Sequence, residues 1–309
     1  MCLKKTKMKD EIDISIIIPT YNYKDRNQNL YNLLIALNKQ RQANGNFEII
    51  IVNNYNSSIG EETINKFKRY IKELKIIEDP IVGLSHARNS GVSSARGKIV
   101  AFLDDDIVPS NGWLNSLINV HKKHNALCIG GPVVLKEKNL VLPGWLTDYY
   151  LRFLLPPKFP KYSCKINKPF YLIGANMSFK REAFKQYGLF DESLGRKGFC
   201  LLSGEDIEFI IRIKQDNVFF ESNALVFTQI KPNRISRYFF MKRIFWQAIS
   251  EARIVNKHSI SELYDKSELT ISKVVIKDLL KLLRHAKFFQ AFCIMLRLVT
   301  FKLDLLLKL

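Results

Sequence analysis

Residues Lys98 to Pro109 (KIVAFLDDDIVP) set three carboxylates directly behind an unbroken apolar run. Ile99 to Leu103 has the length and character of a strand covered on both faces, as in a parallel sheet. Asp104, Asp105 and Asp106 follow, and Pro109 closes the loop. Three like charges at one strand end repel one another, so their clustering calls for a compensating ligand. A hard divalent cation would serve, because it takes carboxylate oxygens and bridges to phosphates. In open α/β sheets ligands gather beyond the carboxyl ends of strands, where these aspartates fall. A solvated acidic turn or a helix N-cap also accommodates Asp, so the rest of the chain must decide.

Upstream, Ile14 to Ile18 reads as a buried strand stopped by Pro19, with Thr20, Tyr21 and Asn22 in the loop beyond it. Leu30, Leu33, Leu34 and Leu37 recur at helical spacing within Asn27 to Arg41. Phe47 to Val52 is a second strand ending at Asn53; a helix over Glu61 to Lys72 and a strand over Leu74 to Glu78 follow. This alternation predicts right-handed βαβ crossovers and a parallel sheet. Within Val82 to Gly97, Ser85 is a candidate N-cap, and Ala87, Gly91 and Ala95 form a small-residue stripe suited to close packing on the sheet. Arg88 falls in the first turn of that helix. Such an arginine either packs through its stem at the surface or contacts a phosphate or ribose with its planar fork.

Downstream, the sequence predicts a helix over Trp113 to His124 and a strand over Leu127 to Leu135 interrupted by Gly130-Gly131-Pro132. Residues 143–170 are punctuated by five prolines and read as a long loop over the sheet. Tyr171 to Phe179 is strand-like, with Gly174 and Ala175 removing side-chain bulk where a ligand or backbone could approach. A short helix over Arg181 to Tyr187 precedes a second acidic motif, Ser203-Gly204-Glu205-Asp206. Its carboxylates open a helix, where the dipole alone stabilises them. Strands Val218 to Glu221 and Leu225 to Thr228 complete the sheet, and Ile235 to Asn256 returns to helix.

Charge narrows the partners. The chain carries 48 Lys and Arg against 29 Asp and Glu, a formal +19, which favours anionic ligands. Five scattered cysteines without a CxxC pair argue against a zinc site or a disulfide framework. The N-terminus lacks the apolar core of a signal peptide, and no uninterrupted apolar stretch is long enough to span a membrane. The expectation is a cytoplasmic protein, peripheral on the cytosolic membrane face. Between Lys273 and Leu309 eight Lys or Arg accompany only Asp278 and Asp304. Such a segment suits an anionic interface or a helix packed on the main domain.

Two acidic clusters about a hundred residues apart suggest two tasks. One holds a metal against a departing diphosphate; the other deprotonates an incoming hydroxyl. No P-loop, GxGxxG or Ser-His-Asp pattern supports a rival chemistry. The ordered segments IIIPTYN, EIIIVNN, GLSHARNSG…ARGKIVAFLDDDIVP, GANMSFKREAF…GLFDESLG and LLSGEDIEF resemble family 2 glycosyltransferases of the GT-A fold, over roughly Ile14 to Asn256. The resemblance implies an α/β, Rossmann-like, mostly parallel central sheet flanked by helices, with a C-terminal helical appendage. It divides the chain into a basic tail (1–12), a glycosyltransferase domain (13–230, nucleotide-binding half 13–110 and acceptor-binding half 111–230) and a helical region (231–309).

It further implies a nucleotide-sugar donor, a UDP-sugar first among candidates, with a Mn or Mg ion and inversion through a single displacement. Pro19, Tyr21 and Asn53 would line the base and ribose pocket with Arg88 close by. Asp104 and Asp106 would form the metal-binding DxD-like element, with Asp104 and Asp105 also facing the donor. Asp206 would be the base and Glu205 an acceptor contact, while Gly174, Ala175, Asn176 and Trp246 would border the acceptor, a glycan or lipid-linked glycan. Asn53 stands where the family usually has Asp, and Thr228 where many relatives carry His. The segment RIFWQAIS lacks the QxxRW signature of processive synthases. A catalytically impaired sugar-nucleotide-binding or membrane-docking protein on the same fold is the alternative. The +19 charge also raises nucleic acid, but no binding motif for it is present and none is expected as a partner.

Overall fold

A computed structural model describes residues 11–21, 23–42, 45–54, 65–66, 68–69, 71, 73–136, 142–146, 151, 153–154, 158–166, 172–214, 217–258 and 288–307. Asn22, most of the helix expected over Glu61 to Lys72, parts of the loop at 143–170 and the basic amphipathic stretch Lys277 to Arg284 lie outside the described residues.

The first half follows the βαβ reading. Strand β1 (Ile14–Thr20) leads to α1 (Tyr23–Asn38), β2 (Phe47–Asn53), β3 (Leu74–Glu78), α2 (Leu84–Ser94) and β4 (Ile99–Leu103). After β4 come β5 (Val108–Pro109), α3 (Trp113–Lys123), β6 (Cys128–Gly130), β7 (Val133–Leu135), β8 (Cys164–Lys165), β9 (Asn176–Lys180) and α4 (Arg181–Tyr187). The remainder is α5 (Glu205–Ile213), β10 (Val218–Phe220), β11 (Val226–Thr228), α6 (Arg237–Lys257) and α7 (Phe288–Leu307).

Eight strands form the main sheet in the order β3-β2-β1-β4-β9-β6-β10-β8. Strands β3, β2, β1 and β4 are parallel neighbours; β9 lies antiparallel between β4 and β6, and β10 is parallel to β6. A second sheet, β5-β11-β7, sits beside the aspartate loop. Strands β1, β2 and β4 are apolar over most of their length because both faces are covered. Ile16, Ile18, Ile49, Ile51, Ala101 and Leu103 pack towards α1 and α3, whereas Ile17, Ile50, Val52, Val100 and Phe102 pack towards α2, α4 and α5. On that second face Phe102, Phe179, Phe184, Phe190 and Phe209 form a ring cluster, with Phe184 and Phe209 stacked at 4.9 Å.

Several local expectations are corrected. Pro19 does not end β1, which continues beside β2 with Pro19 opposite Val52. It lies past the last pair with β4, Ile17 with Phe102, so its missing N–H interrupts no ladder there. Gly83, not Ser85, precedes α2; the Ser85 hydroxyl instead donates to the Leu194 carbonyl at 2.8 Å. The stretch Leu127 to Leu135 divides into two strands in different sheets. β9 begins only at Asn176, leaving Gly174 and Ala175 in the preceding turn. The small stripe on α2 does allow close approach: a Cβ on Gly91 would come 2.4 Å from Ile17 Cγ2.

Candidate active site

Arg88 is the centre of the polar cluster beyond the carboxyl end of β4. It projects from α2 and is 2% exposed, so its charge needs buried partners. Nη1 donates to Glu205 Oε1 at 2.5 Å and Nη2 to Asp104 Oδ1 at 3.1 Å. One guanidinium thus joins the end of β4 to the first residue of α5, 117 positions away. Burial works against the Arg88 charge, but Glu205, Asp104 and Asp206 outweigh it and hold its pKa above the usual value. For Glu205, burial and the neighbouring Asp206 raise the carboxyl pKa, and Arg88 opposes them only in part.

Glu205 and Asp206 occupy different environments. Glu205 is buried, whereas Asp206 is half-exposed. Asp206 Oδ2 accepts from the Gly174 N–H at 2.8 Å, and Oδ1 from the Ile207 N–H at 2.8 Å. What approaches Gly174 is this cluster: a Cβ there would meet Arg88 Nη2 and Asp206 Oδ2, each at 3.0 Å. Gly204 initiates α5 with φ +92, a backbone conformation that disfavours any side chain.

The three aspartates are likewise not equivalent. Asp105 turns inward, 1% exposed, and accepts from the Thr20 hydroxyl at 2.7 Å. That bond holds the aspartate loop against the end of β1. Asp104 and Asp106 remain half-exposed on either side of it. The β5–β11 pairing brings Thr228, at the end of β11, beside this loop, where it offers a hydroxyl rather than an imidazole. Among the described residues no three His, Cys, Asp or Glu side chains converge as a ready cation cage. Two outward carboxylates are nevertheless a donor set that suits a hard cation completed by substrate phosphates and water.

Of the residues expected to face the donor, Tyr21 lies just past β1, and Asn53 ends β2 with its Nδ2 donating to Glu78 Oε2 at 2.5 Å. Asn54 ties down the next loop: its Nδ2 donates to the Ile81 carbonyl, and its Oδ1 accepts from the Gly83 N–H at 2.6 Å. Of the residues expected to border the acceptor, Ala175 lies in the Gly174 turn, and the Asn176 side chain is buried in a hydrogen-bond network. Its Oδ1 accepts from Trp113 Nε1 at 2.9 Å, and its Nδ2 donates to the Ala224 and Pro132 carbonyls at 2.8 and 3.2 Å. Buried and bonded on both sides, it joins β9 to its neighbours.

Helix α6 supplies residues that sequence reading missed. Arg243 Nη1 donates to the Leu201 carbonyl and to the Ser203 hydroxyl, each at 3.1 Å. The Ser203 hydroxyl donates to Gln247 Oε1 at 3.0 Å, and the Ser203 N–H to the Ser250 hydroxyl at 3.0 Å. The segment that leads into Glu205 is thereby fixed to α6. Trp246, half-buried on the same helix, packs edge-to-face on Phe245 at 5.4 Å. The segment RIFWQAIS contains Arg243, Gln247 and Ser250, but its spacing does not reveal that they hold Ser203, because their polar character reads equally well as an outer helix face.

The family model described as "Glycosyl transferase family 2" matches residues 15–188, more than half of the 309-residue chain. The chain belongs to glycosyltransferase family 2. Among curated proteins it is 26% identical over 182 residues to a glucosyl-dolichyl phosphate glucuronosyltransferase of Haloferax volcanii, covering 55% of each chain. It is 25% identical over 253 residues to a chondroitin synthase of Pasteurella multocida, covering 72% of this chain but 25% of that protein. The family member thus spans about half the length, or less, of these relatives. Among solved structures, the mannosyltransferase PcManGT of Pyrobaculum calidifontis, in complex with GDP-Man and Mn2+, superposes with a TM-score of 0.62. It does so at 13% identity, covering 98% of this chain and 91% of that one. S. aureus TarS 1-349 in complex with UDP-GlcNAc gives a TM-score of 0.54 at 17% identity, covering 80% and 71%. These likenesses identify the GT-A fold.

Proposed function

We propose that this family 2 member is an inverting glycosyltransferase. It would move one sugar from a nucleoside-diphosphate donor, a UDP-sugar first among candidates, to a hydroxyl of a polysaccharide or lipid-linked glycan. The observation that carries the reading is the asymmetry of the Glu205–Asp206 pair. Glu205 is buried and ion-paired to Arg88, so it is committed to the scaffold. Asp206 is half-exposed and oriented by the Gly174 N–H, so it has a carboxylate available to an incoming hydroxyl. Asp206 takes the acceptor proton as the acceptor oxygen attacks the anomeric carbon. The bond from that carbon to the diphosphate oxygen breaks on the opposite face, and the configuration inverts. Asp104 and Asp106 would hold a divalent cation, Mn or Mg, which when bound screens the charge gathering on the departing diphosphate. Arg88 keeps the aspartate loop and the start of α5 at a fixed separation, which favours this reading over a catalytically impaired scaffold. The same reading sets the enzyme in the cytoplasm, peripheral on the cytosolic membrane face.

Calorimetric titration with UDP and GDP, with and without Mn, tests the donor site. Manganese-dependent binding of one nucleotide is expected, and binding of neither would overturn the reading. With the donor so identified, Asp206→Asn should lower transfer by about 10²–10⁴-fold while nucleotide affinity stays within twofold. Equal loss of both would remove Asp206 from the base role.

A further inference from the structure

Between Gly195 and Gly204 the chain leaves the active site and comes back to it. At the start a Cβ on Gly195 would lie 3.3 Å from Glu205 Oε2, and at the end Gly204 precedes Glu205 itself. The excursion carries Phe199 at a tight turn bracketed by the Lys197–Cys200 bridge, and the Phe199 ring is 89% exposed. Lys242 of α6 sits over that ring, its Nζ 5.7 Å from the centroid. On α6, Tyr238, Lys242 and Phe245 follow one another at i, i+4 and i+7 and share one face. Tyr238 is 73% exposed, and Phe245 also reaches solvent.

A single exposed aromatic would need no explanation. Here Phe199, Tyr238 and Phe245 are exposed around a common cation, on elements hydrogen-bonded to each other one step from Glu205. Within the two segments themselves the charge is one-sided as well, Glu192 and Glu251 lying just outside them. Residues 195–203 contain Arg196 and Lys197 and no acid, and residues 237–250 contain Arg237, Lys242 and Arg243 and no acid. Burial, followed by the repulsion of Arg196, pushes the pKa of Arg243 down to about 10.

We propose that this basic–aromatic surface is the acceptor rail of the enzyme and that the acceptor is an anionic glycan, one bearing carboxylates or phosphates along its length. The inference rests on the glycosyltransferase reading above. Flat aromatic faces cover the C–H faces of sugar rings, and Arg196, Lys197 and Lys242 pair with the chain's negative charges. The rail ends where Asp206 can reach a terminal hydroxyl.

The full chain should be titrated with three oligomers of matched length: a polyuronate oligosaccharide, a poly(glycerol phosphate) and neutral dextran. UDP and GDP titrations run in parallel. One anionic oligomer is expected to bind, more weakly as salt rises, and dextran at least tenfold more weakly; which of the two binds distinguishes carboxylate from phosphate recognition. Arg196→Ala with Lys197→Ala and Lys242→Ala should weaken that binding at least tenfold and flatten its salt dependence. Phe199→Ala with Tyr238→Ala should weaken it and leave the salt dependence unchanged. Equal binding of dextran, no binding of either anionic oligomer, or indifference to both sets of substitutions would overturn the rail. So would association with anionic vesicles that the charge substitutions abolish while no oligomer binds, since lipid would then be the ligand. Nucleotide binding without oligomer binding refutes the rail alone, whereas failure of UDP and GDP refutes the donor reading on which it rests.

Discussion

Arg88 shows how much a single residue can couple. Among the described residues its guanidinium is the cation bonded to both Asp104 and Glu205, and its charge opposes the rise in the Glu205 pKa that burial and Asp206 cause. Replacing it by Met would leave three carboxylates together without that partner, and stranding buried charges in this way costs about 3–5 kcal/mol. Urea denaturation at pH 7 should show a loss of that order for Arg88→Met. The sign of the pH dependence follows from Glu205, whose folded pKa already lies above its unfolded value of 4.5. Without Arg88 it rises further, so stability is lost as pH climbs above the unfolded value and regained as pH falls through the carboxylate range. A deficit that stayed constant from pH 7 to pH 4 would show that Arg88 acts by packing rather than by charge. The sequence places Arg88 near the strand-end loops but cannot reveal its burial, because the partners lie 16 and 117 positions away. The aspartate triplet has the same limit. The sequence shows its place after a buried strand, but the Thr20 hydroxyl that turns Asp105 inward lies 85 positions away.

Among the elements, legibility follows periodicity and fails where direction or partner choice enters. The apolar runs of β1, β2 and β4 and the leucine spacing of α1 are readable because burial on both sheet faces, or on one helix face, leaves a pattern. The antiparallel insertion of β9 between β4 and β6 leaves none, since an apolar strand reads the same in either direction. The start of α5 is a further case. The acidic pair marks a helix N-terminus, yet the conformation that presents it depends on Gly204 at φ +92 against Ile254 of α6. An alanine Cβ there would lie 2.7 Å from Ile254 Cδ1 and would hold a non-glycine residue at positive φ. The backbone cost alone is about 1–2 kcal/mol. Gly204→Ala should therefore lower the stability measured by chemical denaturation by at least that amount and reduce kcat, because Glu205 and Asp206 are the next residues. Adding Ile254→Val should relieve the contact and not the backbone, so kcat recovers only in part. Wild-type stability in Gly204→Ala would show that α6 yields freely and does not fix the motif.

For the molecule as a whole, the C-terminal helices join two roles that composition alone cannot separate. One face of α6 holds the Ser203 segment, and α7 packs along α6 through Ile294, Cys293 and the Arg297–Glu251 pair at 2.5 Å. That packing leaves Phe288, Phe292, Met295, Val299 and Leu303 exposed on α7, at successive steps of four, three, four and four residues, which is a single helix face. Among the described residues no helix is long and apolar enough to cross a membrane. An exposed apolar stripe on a chain of formal charge +19 instead suits the boundary between headgroups and acyl chains of an anionic bilayer, where apolar burial and electrostatic attraction add. The protein should therefore co-sediment with vesicles containing phosphatidylglycerol and not with purely zwitterionic ones, and salt should release it. Phe292→Ser with Val299→Ser should weaken this association at least tenfold and leave nucleotide binding intact, because neither side chain touches the Arg88 cluster. Unchanged vesicle binding in that variant would move the attraction to the basic surface alone. A monomer–dimer equilibrium that the same substitutions abolish, with no vesicle binding in the parent, would instead make the stripe the seat of a second copy of the chain.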